Sequence, residues 1–149
     1  MKLEEEIKQK KFKSSTHKVL LNIIFTANWL NTKFKDGFKE YGITQQQYNV
    51  LRILNGRYPM SANPNEIKEV MLDKNPDLTR LCDRMCANGL IKRKVDSDNR
   101  RKVNIMITTK GINLLKKIEP TIEKQETYFK YMSNSDKELL SELLDKFRG

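Results

Sequence analysis

Five of the eight arginines in this chain, Arg80, Arg84, Arg93, Arg100 and Arg101, fall between positions 80 and 101. A guanidinium is a planar fork that binds phosphate oxygens, or guanine O6 and N7, through two parallel hydrogen bonds; a lysine ammonium is a mobile point charge. A charge that only keeps a protein in solution has no reason to concentrate arginine in one stretch. Arg80 and Arg84 are spaced one helical turn apart. Asn75, Asp77 and Thr79 precede and flank them with short hydrogen-bonding side chains. From residue 92 to 102 there are six basic and two acidic residues, with too few apolar ones to form a core.

Other chemistries have less to stand on. The only histidine is His17, which removes most catalytic triads and every zinc site that needs two histidines. No glycine-rich phosphate loop, paired catalytic carboxylates or Cys–His pair is present, so neither an enzyme nor a bound cofactor or metal is expected. Cys82 and Cys86 are too few for a disulfide scaffold. Cys82 takes an apolar slot of its helix and reads as core; Cys86 falls just off the stripe, where a redox role needs a lowered pKa or a nearby partner. Phe25, Trp29, Tyr48 and Tyr58 are either core aromatics or the lining of a pocket.

The elements that must position these residues belong to 149 residues, one domain or one small domain with appendages. Lys and Arg number 29 against 19 Asp and Glu, a net charge of +10. That excess suits a polyanion, whether nucleic acid or an anionic membrane, or simple solubility. It is unevenly spread: +4 over residues 1–40, +5 over 41–102 and +1 over 103–149. No run of about 18 apolar residues exists to span a membrane. No apolar stretch follows the N-terminus as a secretory signal would require, so a cytosolic location is expected.

Helix starts are legible. Thr44-Gln45-Gln46-Gln47 is a capping box ahead of Tyr48, Val50, Leu51, Ile53 and Leu54, and that helix is expected to stop at Asn55-Gly56 in a left-handed turn. Asn63-Pro64-Asn65-Glu66 opens a second helix, and Asn75-Pro76-Asp77 a third of the same kind. The third carries Leu78, Leu81, Cys82 and Met85 inward, spaced i, i+3, i+4, i+7, and stops at Asn88-Gly89. The period then changes to two. Residues 90–95 and 102–107 are strands around a polar tip, with 60–62 as a third short strand. Residues 108–111 open another helix, in which Pro120 should mark a kink or break. Ser135-Asp136-Lys137-Glu138 reads as the cap of a last helix. Residues 19–38 form a long N-terminal helix.

Two short helices with a tight connection, followed by a two-stranded wing, make a winged helix-turn-helix. The residues that carry it resemble the MarR family of bacterial transcriptional regulators, named for multiple antibiotic resistance. The likeness runs through Ile43 to Leu54, Leu78 to Met85 and Asn88 to Arg93. It is strongest over Asp96-Ser97-Asp98-Asn99-Arg100-Arg101 with Val103, Ile105, Ile107, Thr108 and Gly111, which is similar to the family's wing signature. Asn99 stands where the family has a wing aspartate, and residues 67–76 match only loosely.

The resemblance implies a mainly α fold with a small β-wing. A winged helix-turn-helix at 41–108 is flanked by dimerisation helices at 1–40 and 109–149, in one intertwined domain. It implies a repressor that binds double-stranded operator DNA of pseudo-palindromic sequence as a homodimer and is released by a small effector. Asn75, Asp77, Thr79, Arg80 and Arg84 would meet the major groove, and Arg100 and Arg101 a minor groove. Phe25, Trp29 and Tyr48 would line the effector pocket. The lean apolar content, 38%, fits terminal helices that bury their faces against a second copy. The rival reading is a winged-helix module whose basic face meets a protein or RNA.

Overall fold

A computed structural model describes residues 1–74, 77–95 and 103–149. The chain divides into two compact units, residues 1–48 and 49–149.

The first unit opens with a single helical turn, α1 (Leu3–Glu6), followed by the long helix α2 (Ser15–Lys39). The hydroxyl of Ser14 caps α2 by accepting from the His17 amide at 3.1 Å. Glu4 pairs with Lys18, which joins the two helices. Val19, Leu20 and Ile24 on α2 are each about half exposed. The helix α3 (Gln45–Gly56) begins in this unit, and the Thr44 box forms as expected. Gln47 Oε1 accepts from the Thr44 amide at 2.9 Å, and Thr44 Oγ1 accepts from the Gln47 amide at 3.2 Å. That bond satisfies Gln47, whose side chain is buried.

The second unit contains the rest of α3, then α4 (Pro64–Val70) and α5 (Leu78–Ala87). The antiparallel strands β1 (Ile91–Val95) and β2 (Val103–Ile107) follow. The helix α6 (Thr109–Glu123), a 3-10 turn (Lys124–Phe129) and α7 (Asn134–Arg148) complete it. Val50, Leu51 and Leu54 are fully buried, as are Ile67, Met71 and Met85. The mainly α architecture with a two-stranded wing is the one expected.

Local details depart from the sequence reading. Gly56 keeps a helical φ, so α3 does not stop in a left-handed turn; Gly89, at φ +67°, does end α5 that way. The third strand shrinks to one bridge: Ala62 and Ile105 exchange amide–carbonyl bonds of 2.9 and 2.8 Å. It cannot lengthen because Asn63 turns the chain at once, capping α4 with bonds from Asn65 and Glu66. Helix α6 runs through Pro120 for three more residues and tightens to 3-10 only at Lys124. The last helix starts two residues early, capped by Ser133 with Asp136 rather than by Ser135 with Glu138. The earlier start places Asn134 and Ser135 inside the helix and still satisfies the first-turn amides.

Candidate nucleic-acid interface

The sharpest polarity in the molecule belongs to α5. Leu78, Leu81, Cys82 and Met85 are all buried, while Thr79, Arg80, Asp83, Arg84 and Ala87 are exposed. The helix begins at Leu78, and Pro76 lies outside the described residues. Asp77 is its cap, Oδ1 accepting from the Arg80 amide at 3.2 Å, while Oδ2 stands 3.2 Å from Arg80 Nε. Asn75 lies outside the described residues.

The exposed side of α5 consists of two rows, each with i, i+4 spacing. Arg80 and Arg84 form one. The Arg80 side chain is 83% exposed, and among the described residues no carboxylate pairs with Arg84. Thr79 and Asp83 form the other, and this row faces the hairpin. Arg93 on β1 sets its Nη1 2.6 Å from Asp83 Oδ1, and its Nη2 donates to the Thr79 carbonyl at 3.5 Å. Beneath this contact lies a cavity of about 260 Å³ lined by Pro64, Leu78, Thr79, Cys82, Arg93, Val103 and Ile105. Burial pushes the Cys82 thiol up to about 11; the Arg93 charge works against this and is outweighed. That is the state of a packing cysteine, not of a reactive one.

The far end of α5 is held as firmly. Gly89 donates to the Cys86 carbonyl at 2.8 Å, and Leu90 to that of Met85 at 3.0 Å. The Thr108 hydroxyl reaches the carbonyls of Gly89 and Leu90 at 2.7 and 3.0 Å and accepts from the Gly111 amide at 3.1 Å. At the near end, Asn49 Oδ1 on α3 accepts from the Leu72 amide at 3.0 Å, which fixes the connection from α4.

The structure thus brings Thr79, Arg80 and Arg84 to one exposed surface. It engages Asp77 as a cap. Arg100 and Arg101 lie outside the described residues. In the first unit, Phe25 and Trp29 line a cavity of about 200 Å³ with Met1, Lys2, Leu3, Glu6, Asn22 and Thr26. Tyr48 is not among its lining residues; it stacks on Phe38, centroids 4.9 Å apart. Sequence reasoning counted Arg93 as one more basic residue of the wing and missed its contact with α5. Only the i, i+4 pair Thr79–Asp83, opposite a strand arginine of the right parity, hinted at it.

The model of the MarR family matches residues 43–103, from the start of the capping box before α3 to the first residue of β2. Over these residues the chain is similar to the MarR family. Among relatives, the homoprotocatechuate degradative operon repressor of Escherichia coli is 27% identical over 115 residues, covering 76% of each chain. Among solved structures, MepR of Staphylococcus aureus in complex with DNA superposes with a TM-score of 0.76 at 21% identity, covering 90% of this chain and 96% of that one. The organohalide-sensing regulator RdhR, with 2,4-dichlorophenol bound, superposes with a TM-score of 0.82 at 17% identity, covering 94% and 85%. At these identities the two structures speak for a shared fold over nearly the whole chain, including the helices outside residues 43–103. No helix among the described residues is long and apolar enough to cross a membrane.

Proposed function

We propose that this protein is a member of the MarR family and a sequence-specific DNA-binding transcriptional regulator that represses by occupying a pseudo-palindromic operator as a homodimer. The Arg80–Arg84 row carries the reading. It is a pair of exposed guanidiniums, Arg80 with only its Nε against Asp77, on a helix whose opposite face is buried, so the helix can enter a major groove without giving up core. Thr79 and the cap at Asp77 lie at the end that would point to base edges, with Asn75 just before them. Arg100 and Arg101 would reach a minor groove, whose negative potential attracts arginine where it is narrow. The MepR structure, a complex with DNA, supports this use of the fold.

The dimer rests on uncovered apolar faces. Leu139, Leu143 and Phe147 on α7 are each more than half exposed, and Val19, Leu20 and Ile24 on α2 nearly as much. Each is a face that a second copy would cover. On this reading 1–40 and 109–149 are dimerisation elements around the reading head at 41–108.

Release by a small aromatic or anionic effector is supported by the cavity that Phe25 and Trp29 line, and by a relative of this fold that holds a chlorinated phenol. Tyr48 would act, if at all, through Phe38 rather than by lining that cavity. A regulator of this kind works in the cytoplasm, where the chromosome is.

The deciding experiment is a footprint on the promoter of its own gene. Protection of two half-sites one helical turn apart, lost with rising salt and absent on random DNA, is the expected result. Equal affinity for random DNA would overturn the proposal.

A further inference from the structure

Arg93 has the charge and the address of a DNA contact, yet its guanidinium is turned inward onto α5. Nη1 is 2.6 Å from Asp83 Oδ1 and Nη2 reaches the Thr79 carbonyl, so two of its donors are spent on one helix face. The partners come from separate elements, and neither is placed by chance. Arg93 stands opposite Ile105 in the hairpin register, and Ile105 is itself pinned by the bridge to Ala62 at the start of α4. Thr79 and Asp83 are one turn apart on α5, so a fork from the strand spans both.

The position of Asp83 is otherwise hard to explain. An exposed carboxylate beside Arg80 and Arg84, on the helix that meets a polyanion, repels phosphate. Paired with Arg93 it is neutralised, and the pair fixes the angle between wing and helix. From these contacts we infer that Arg93 and Asp83 form a brace that aligns the wing with the recognition helix. Arg93 is thus a positioning residue for operator binding and not a phosphate contact. The inference rests on the DNA-binding reading above.

A surface pair of this exposure contributes little to stability, so the effect appears in selectivity rather than in folding. Arg93→Ala and Asp83→Ala should each lower the preference for the promoter fragment of its own gene over random DNA by about two- to five-fold, with the melting temperature unchanged. The double substitution should be no worse than either single one. The exchanged pair, D83R with R93D, should recover most of the preference. The salt slope of Arg93→Ala should equal that of the unaltered protein.

A contact to phosphate gives a different set of results. The slope of Arg93→Ala falls by about 0.9, Asp83→Ala binds all DNA more tightly, and the exchange recovers nothing. Any of these overturns the brace. Additive losses in the double variant overturn it too, while leaving the DNA-binding reading intact. Failure of the unaltered protein to prefer the promoter fragment sinks that reading, and the brace with it.

Discussion

Gly111 lies so close to Leu90 that a methyl group built on its Cα would sit 2.4 Å from the Leu90 carbonyl oxygen. The same methyl would come within 2.8 Å of Ile107 Cγ1. The first of these neighbours is backbone and cannot rotate away. The entry of α6 beside Leu90 and Ile107 therefore requires a residue with no side chain. Gly111→Ala should lower stability by about 1–3 kcal/mol, as overpacking does. Denaturant titration should show a lower midpoint with an unchanged slope, and an unaltered midpoint would contradict the contact.

The cap at Asn63 is a second structural expectation. Its Oδ1 accepts from the amides of Asn65 and Glu66, at 3.0 and 3.1 Å, and Glu66 Oε2 accepts from the Asn63 amide at 2.7 Å. Asn63→Ala should cost about 0.5–2 kcal/mol, and Asn63→Asp much less, since aspartate caps equally well. Equal losses in the two variants would assign the effect to something other than the cap.

Cys82 links stability to pH. Its thiol is held neutral by burial up to about 11, against 9.0 in a solvated chain. Between these values the unfolded chain loses the proton while the folded one keeps it. The contribution is therefore whole below pH 9 and is lost as pH rises toward 11. It amounts to about 2–3 kcal/mol. The fall in stability across this window should be shallower in Cys82→Ala. The same burial should leave Cys82 unmodified by thiol reagents at pH 8 in the folded protein, while the half-buried Cys86 reacts first.

For DNA binding, Arg80→Ala and Arg84→Ala should each weaken the complex with the promoter fragment. A base-edge contact predicts a loss of about 1–3 kcal/mol with relaxed specificity at one position. A phosphate contact predicts a uniform loss and a salt slope lower by about 0.9. Arg101→Ala should also weaken binding and lower the slope. Unchanged affinity in all three would remove the helix and the wing from the interface together.

Association can be tested on α7 alone. Leu143→Glu with Phe147→Glu should convert a dimer to a monomer at micromolar concentration, read as sedimentation mass. A monomeric mass for the unaltered protein would overturn the dimer before any variant is made.

The parts of the fold that were legible in the sequence are those whose determinants lie within a turn of one another. Thr44 with Gln47 and Asn63 with Glu66 are spaced at i, i+3, and no distant contact competes with them. The buried stripe of α5 was legible for the same reason. Where two local solutions tie, sequence cannot choose. Ser133 with Asp136 and Ser135 with Glu138 both satisfy the box, and the helix takes the one that lengthens it.

The site was legible as to composition and less so as to orientation. That Arg80 and Arg84 share a face follows from helical period. That Arg93 faces Asp83 depends on the hairpin register, which a bridge from Ala62, some 30 positions earlier, helps to fix. Phe25 and Trp29 were grouped with Tyr48 because all are aromatic, but ring stacking on Phe38 draws Tyr48 elsewhere.

The Thr108 hydroxyl has a mechanical consequence. By bonding to Gly89, Leu90 and Gly111 it welds the exit of α5 to the entry of α6 as a single elbow. An elbow transmits torque. If α5 reads DNA as proposed, a swing of α6 would pass through this joint to the arginine row, and the helix would not adjust its pitch alone. Half-sites set out of step would then have to be met by twisting the double helix, and the stiffness of the spacer becomes part of the code.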